Sequence, residues 1–351
     1  TEYDLVCRLL LEKKKKISQT HSFNSRRRLL LKSSGKECEN KCCTPQSMEE
    51  ARKSAQTIGY PFHVIDAAEI FRKQIVQYFL DEYAQGKTPN PCVICNKDIK
   101  WGLLFDKVKE FGADYLATGH YVRLETGQDS KIKVLQAKDT QKDQSYVMCM
   151  LKQNQLEKTL FPLGNLLKTE VRDLARHYGL PMAEKKDSQD LCFVSDSNYR
   201  DFLNRNAPEI AQPGQIMDRY GNHLGNHQGL AFYTIGQRKG IGLSAPEPLY
   251  VLEKIAKENL LIVGTVDELH QKQILVKGVN WISGEKPTQA FDANVKIRYK
   301  ANFQNAKVIP LEADKVTIEF EKPVRDATPG QYAVIYNQDE LLGGGEIEKS
   351  L

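Results

Sequence analysis

Ala113-Asp114-Tyr115-Leu116-Ala117-Thr118-Gly119-His120 is the stretch that decides the fold. Ala113–Thr118 reads as a short buried strand, and Gly119-His120 follows at its end. Before it, helical periodicity runs through Met48–Ile58 and Ala67–Ala84, with a strand at Pro61–Ile65 and a helix expected after Pro91. After it come a hairpin excursion over Val122–Ala137 and helices expected at Gln144–Leu156 and Thr169–Tyr178. Thr169 heads the last with a weak capping signal, because the favoured Glu is missing three places on. Strands alternating with helices imply an α/β domain, a parallel sheet with helices on both faces. Ligands of such sheets gather at the carboxyl ends of the strands. Gly119 would let a nucleotide approach the backbone there, and His120 is either a ligand contact or a structural histidine.

Beyond about Tyr199 the helical rhythm fades, and glycine-rich turns separate short strands at Gly214–Arg219, Gly229–Tyr233, Leu249–Lys254 and Leu260–Val263. The last section is nearly all strand-like, at Ile274–Val279, Val295–Tyr299, Lys315–Phe320 and Tyr332–Tyr336. That spacing predicts a small antiparallel barrel. Three domains are expected: an α/β domain over 1–200, a β-rich linker domain over 201–270 and a barrel over 271–351. Within the first, Glu2–Leu11 reads as a strand, and the basic stretch 12–41 reads as loop or disorder.

The bulk numbers agree with such a chain. It has 351 residues, 40% hydrophobic, with a net charge of +5. That mild basic bias is compatible with a polyanionic partner without demanding one. No stretch approaches the roughly 18 apolar residues of a membrane span, and no secretory leader is visible. The chain begins at Thr1, which reads as a processed product or a partial gene. Its eight cysteines are sparse and lack small-scaffold spacing, so a reducing compartment is expected.

Two cysteine motifs stand out. In Thr88-Pro89-Asn90-Pro91-Cys92-Val93-Ile94-Cys95-Asn96, Pro91 sits where a helix would begin. Cys95 is then expected in the first turn, where unpaired amides and the helix dipole favour a thiolate, helped by Lys97 and Lys100. Taken alone, Cys92-x-x-Cys95 stays open between redox, metal and packing roles. In Asp187-Ser188-Gln189-Asp190-Leu191-Cys192-Phe193 the cysteine is solitary among polar and acidic neighbours. Lys142-Asp143-Gln144-Ser145-Tyr146 suits phosphate and base-edge contacts, or a solvated helix start. His227-Gln228-Gly229 and Thr234–Gly242, which carries Arg238 and Lys239 among glycines, read as a mobile basic loop or a charged turn.

In this order the motifs closely resemble the tRNA-specific 2-thiouridylase family, from about Cys42 to the C-terminus. The resemblance implies that the first domain is an adenine-nucleotide α-hydrolase-like fold of the PP-loop ATPase type. It implies ATP, with magnesium, as the reagent that adenylates the C2 oxygen of a wobble uridine in tRNA. An enzyme persulfide then displaces AMP to give 2-thiouridine. Carried over by position, Cys192 would receive the persulfide from an upstream donor protein. Cys95 would release the sulfur by forming a Cys95–Cys192 disulfide. Gly119 and Leu10 would lie at the ATP site, and Asn90, Pro91 and Cys92 would border the target base. His120, Lys142, Asp143, Gln144, Arg298, Tyr299 and Gln331 would contact tRNA. The resemblance implies a cytoplasmic enzyme with no membrane attachment, or one of the mitochondrion or plastid.

Two departures qualify it. Many family members have Asp where this chain has Cys92, so Cys92, Cys95 and Cys192 together are candidate ligands for an iron–sulfur cluster. The family's SGGxDSS pyrophosphate loop is not found. Ser33-Ser34-Gly35 lacks the Asp-Ser and is expected to follow no strand, while Tyr3–Leu11 looks like the family's second strand. The loop would then belong before Thr1, and the chain as it stands would bind tRNA without adenylating it. The alternative readings are therefore a tRNA-binding remnant without catalysis and a cysteine-ligated iron–sulfur protein.

Overall fold

A computed structural model describes residues 45–180, 183–184, 191–194 and 199–351, and the backbone of residues 28–32. Strand β1 (Arg28–Lys32) pairs in parallel with β2 (Phe62–Asp66), on either side of helix α1 (Pro45–Thr57). Ala51, Ser54 and Ala55 are the buried face of α1. Ala68–Phe71, Arg72–Val76 and Gln77–Ala84 run on as one helix, α2, whose middle segment has π-type hydrogen bonding. Helix α3 is likewise continuous through Pro91–Ile94, Cys95–Leu104 and Phe105–Glu110, and its long middle segment is π. Such i→i+5 segments are rare and recur at functional sites. The strand after it, β3, is only Leu116–Ala117 and pairs in parallel with β6 (Thr159–Leu160).

Between them lies the hairpin β4 (Val122–Thr126) and β5 (Ile132–Gln136). Helices α4 (Lys168–His177) and α5 (Tyr199–Asn206) follow. The central sheet has the order β8 (His223–His227), β7 (Gly214–Met217), β10 (Leu260–Gly264), β9 (Tyr250–Ile255).

The last six strands are β11 (Gln271–Trp281), β12 (Phe291–Lys296), β13 (Gln304–Pro310), β14 (Val316–Val324), β15 (Tyr332–Asn337) and β16 (Glu340–Ser350). They pair antiparallel, and β11 joins β16 to close the barrel. Alternation fills it, as Val316, Ile318 and Phe320 of β14 all point inward. The hairpin is not an isolated excursion, because β5 pairs with β16 through Leu135↔Glu340 and Val134↔Leu341. Arg123 bonds Asp339, and Lys133 bonds Glu340 at 2.8 Å, across the same seam. The first and last parts of the chain thus share one sheet, and the hairpin covers an edge that would otherwise stay open.

Several expectations are corrected. Residues 28–32 form a strand inside the stretch read as loop, where Leu29-Leu30-Leu31 supplies the apolar run. Ser33-Ser34-Gly35 therefore does follow a strand, although these three residues, Glu2–Leu11 and Leu10 lie outside the described residues. Gln144–Leu156 is no continuous helix but a 3-10 turn at Ser145–Met148 and one helical turn at Gln153–Leu156. Asn280 Nδ2 takes the Cys149 and Leu151 carbonyls at 2.9 and 2.8 Å, in competition with a helical ladder between them. Gly229–Tyr233 is a 3-10 turn, since Tyr199 and Arg200 both donate to the Phe232 carbonyl. Helix α4 begins at Lys168, and Glu170 caps it by accepting from the Leu167 amide at 2.6 Å.

Gly164 is held against the Val122 carbonyl, where an added Cβ would collide with backbone. Gly164→Ala should cost about 3 kcal/mol by overpacking. Gly59→Ala, in the left-handed region with open space around it, should cost only about 1 kcal/mol. Urea unfolding of both variants checks this contrast, and equal midpoints would refute it.

Candidate functional site

Helix α3 lies between two hydrophobic cores. Ile99 enters the core built by α2, α5 and the central sheet, and Ile94 and Cys95 pack against it. Val93, Trp101 and Phe105 enter the core shared by the hairpin and the barrel residues Tyr332, Val334 and Tyr336. The helix starts as its sequence suggests: Asn90 caps it, accepting from the Val93 amide at 3.4 Å, and Pro91 fills the first helical place. One expectation shifts in consequence. Cys92, which is exposed, occupies the first turn, and Cys95 begins the second with its amide already bonded to Pro91 and Cys92 carbonyls. The dipole argument, which fades within one turn, therefore favours Cys92 over Cys95.

The segment leading into α3 is gripped by the barrel. Gln331 Nε2 donates to the carbonyls of Thr88 (2.8 Å) and Pro89 (3.2 Å), and the Thr88 amide donates to the Pro329 carbonyl (2.9 Å). Gly330 has φ +90°, and a Cβ there would stand 3.0 Å from the Thr88 oxygen. Lys87 bonds Glu82 at 2.8 Å and lies 3.7 Å from Glu346 of β16.

Gly119 and His120 are both buried just past β3. His120 Nε2 accepts from the Lys100 ammonium (3.1 Å), which leaves Nδ1–H to donate to Thr118 Oγ1 (2.8 Å). Burial, then the Lys100 charge, holds the imidazole pKa well below its ordinary value, so the ring is neutral. Its ring centre lies 5.7 Å from that of Trp101 and 6.1 Å from that of Phe161. In this conformation His120 anchors Lys100 of α3 rather than facing solvent, and Lys100 is turned to it instead of standing only as a helper of Cys95.

Asp143 is buried and accepts from the Ala137 and Ser145 amides, Ser145 Oγ and Gln136. Gln144 exchanges two bonds with Tyr121, Oε1 from its amide (2.9 Å) and N–H to its carbonyl (3.0 Å). Lys142 is half-buried in the turn before them. Tyr299 Oη donates to the Asp143 carbonyl at 3.0 Å. Arg298 donates to the Ile235 and Asp326 carbonyls and to Thr328 Oγ1. Arg298, Tyr299 and Gln331 thus each tie the barrel to another part of the chain. Tyr146 is buried between these parts: its hydroxyl donates to the Tyr332 carbonyl and bonds Asn90, and its ring meets that of Tyr299 at 5.9 Å.

Cys95 and Cys192 are both half-buried and pack against the same core, of which Phe79 and Phe193 are members. Phe193 is the anchor: its ring meets Phe71, Phe79 and Phe202 at 6.0, 5.2 and 5.4 Å and fixes the position of the neighbouring Cys192. Among the described residues, no three His, Cys, Asp or Glu side chains gather as a metal site. Cys92, Cys95 and Cys192 therefore do not fit a cluster in this arrangement.

The glycine loop is ordered by its own bonds, Gly236 N to Val251 O (2.8 Å) and Gln237 Nε2 to Lys239 O (2.9 Å), with Arg238 and Lys239 exposed at its tip. His227 is buried and structural, donating to Asn259 O and accepting from the Gly229 amide. Sequence reading missed Lys254. Its ammonium lies 6.0 Å from the centre of the Tyr83 ring and donates to the Tyr233 (2.9 Å) and Lys87 (3.4 Å) carbonyls, joining the central sheet to the α3 lead-in. A lysine alternating along a strand carries no signal of this.

Residues 8–196 match the domain family described as tRNA methyl transferase HUP domain. Residues 200–265 match the tRNA methyl transferase PRC-barrel domain, and 271–347 the aminomethyltransferase beta-barrel domain. The chain is 44% identical over 314 residues to tRNA-specific 2-thiouridylase MnmA 1 of Caldanaerobacter subterraneus subsp. tengcongensis, covering 89% of this chain and 86% of that protein. It is 40% identical over 315 residues to tRNA-specific 2-thiouridylase MnmA of Clostridium perfringens, covering 90% and 88%. With tRNA-specific 2-thiouridylase MnmA 2 of Clostridium botulinum it shares 40% over 307 residues, 88% and 87% of the two chains. No helix among the described residues is long and apolar enough to cross a membrane.

The Lys254 junction carries a pH dependence. Burial lowers this lysine to about 7, whereas in the unfolded chain it titrates near its ordinary value of about 10.4. Between these values the unfolded state binds the extra proton, so stability rises with pH; below about 7 both states are charged and the full penalty applies. The urea midpoint should therefore climb from about pH 7 to about pH 9 more steeply in the native protein than in Lys254→Met. Parallel profiles would show that the buried amine does not titrate there.

Proposed function

The chain belongs to the tRNA-specific 2-thiouridylase family, and we propose on that basis that it converts a wobble uridine of tRNA to 2-thiouridine at the expense of ATP. The observation that supports the mechanism is that Cys95 and Cys192 pack against one hydrophobic core. In the first step uridine O2 attacks the α-phosphorus of ATP, taken up as its magnesium complex, and pyrophosphate leaves. The oxygen becomes part of a good leaving group.

A persulfide-carrying partner protein loads Cys192 with a terminal sulfur. Cys95 thiolate then attacks Cys192 Sγ. The Cys95–Cys192 bond forms, the S–S bond to the terminal sulfur breaks, and hydrosulfide departs with the electron pair. Hydrosulfide displaces AMP at C2. A two-electron reductant later restores both thiols, which suits the reducing cytoplasm.

Asn90, Pro91 and Cys92 border the target base at the start of α3. Gly119 lies at the strand end where ATP binds, and Lys100, held by neutral His120, puts a positive charge there. Asp143 acts as a positioning residue rather than a direct contact, because its carboxylate already accepts from four donors. Lys142, Gln144, Tyr299 and the exposed Arg238 and Lys239 offer polar and cationic groups to tRNA. Arg298 and Gln331 act on tRNA through the junction they hold closed. The likeness to 2-thiouridylases over 88–90% of the chain lends no support to a catalytically silent tRNA-binding remnant.

Cys95→Ser and Cys192→Ser should each lower 2-thiouridine formation by at least about a hundredfold, because each removes a sulfur that the exchange needs. Cys92→Ala should stay within about threefold of the native rate. Mass spectrometry of tRNA nucleosides from a deletion strain carrying each variant reads the outcome. Native levels of 2-thiouridine in either serine variant would overturn the two-cysteine route.

A further inference from the structure

Asn96 follows Cys95 directly and is 2% exposed. Its amide is fixed in orientation, since Nδ2 donates to the Val147 carbonyl at 3.0 Å and a flipped amide would set two acceptors together. Oδ1 is consequently directed elsewhere, buried, and no donor among the described residues reaches it. Folded proteins seldom leave such an oxygen without a partner.

Its place is informative. Asn96 stands one residue past Cys95 and four past Cys92 in α3, at the start of its π segment. Exposure falls from exposed at Cys92 through half-buried at Cys95 to buried at Asn96. Val147, which holds the amide, lies three residues past Gln144, so Asn96 bridges the base-bordering segment and the Lys142–Gln144 segment. Thr88 Oγ1, in the lead-in to the same helix, is a second buried oxygen without a bonded partner among the described residues.

We propose that Asn96 is a specificity-determining residue whose Oδ1 accepts the N3–H of the target uridine. The inference rests on the uridine-thiolating function above and names how the base is chosen. Uracil carries a donor at N3 between two carbonyl acceptors, and cytosine carries a bare acceptor there. An acceptor that cannot turn rewards the first and repels the second, which is selection by both attraction and repulsion. A neutral amide also keeps the site from adding negative charge next to an incoming triphosphate.

The test is equilibrium binding of the full-length protein to anticodon stem-loop RNAs with uridine, cytidine or N3-methyluridine at the wobble position. The native protein should bind the uridine RNA about tenfold more tightly than the other two. Asn96→Ala should bind all three alike at the weaker level; it loses the Val147 bond and so should unfold at somewhat lower urea, with a single cooperative transition showing that it is folded. The native protein's own comparison of uridine with N3-methyluridine needs no substitution and decides the matter if the variant unfolds. Equal affinity for those two RNAs would overturn the role of Asn96 while leaving thiolation intact. Failure to bind any of the three would overturn the tRNA-modifying reading and this inference with it.

Discussion

One side chain on the barrel controls the approach to the reactive helix. Pro89 and Pro91 have no amide hydrogens, so the segment Lys87–Asn90 cannot satisfy its own carbonyls by folding on itself. Gln331 supplies the missing donor to two of them, and the Pro329 carbonyl takes the Thr88 amide. The turn that presents Gln331 passes through Gly330, whose positive φ and close approach to Thr88 leave no room for a side chain. With this segment fixed, Asn90 can cap α3 and the helix can leave in one direction only. A domain far away in sequence thereby sets where Cys92, Cys95 and Asn96 stand.

From that start α3 serves as a strut. One face completes the core that carries Cys95 and Cys192, and the other completes the core shared with the hairpin and barrel. Because interiors are close-packed, a displacement of the barrel is felt at both faces. The hairpin β4–β5 adds a second joint by extending the barrel sheet, and Lys254 adds a third by holding the central sheet to the same lead-in. tRNA engaging the barrel and the basic tip at Arg238 and Lys239 would thus load the very contacts that place the cysteines. Catalysis by positioning needs such rigidity, since a small misplacement of reacting sulfurs is costly in rate.

Much of this was legible in the residues, where local chemistry decides the outcome. Pro91 after Asn90 announced the start of α3, and the close succession of short strand-like segments announced the barrel. Local pattern failed where partners distant in sequence decide. Residues 144–156 have helical periodicity, yet Asn280 claims the Cys149 and Leu151 carbonyls and the helix breaks. Tyr233 and its apolar neighbours look like a strand, yet Tyr199 and Arg200 draw the Phe232 carbonyl into a turn. Arg298 has the composition of a phosphate contact, and only the fold shows its guanidinium bonded to Ile235, Asp326 and Thr328. Nothing in the order of residues marks the π segment or the buried oxygen of Asn96, because both depend on how α3 is pulled between two cores.

The central claim is that Cys95 and Cys192 act as a pair that closes to release sulfur. Its most direct measurement is a single turnover of persulfide-loaded protein with ATP and tRNA, followed by alkylation and peptide mass spectrometry. The expected result is a Cys95–Cys192 disulfide formed in step with 2-thiouridine, about one per modified tRNA. The contradicting result is 2-thiouridine accumulating while both cysteines remain open to alkylation.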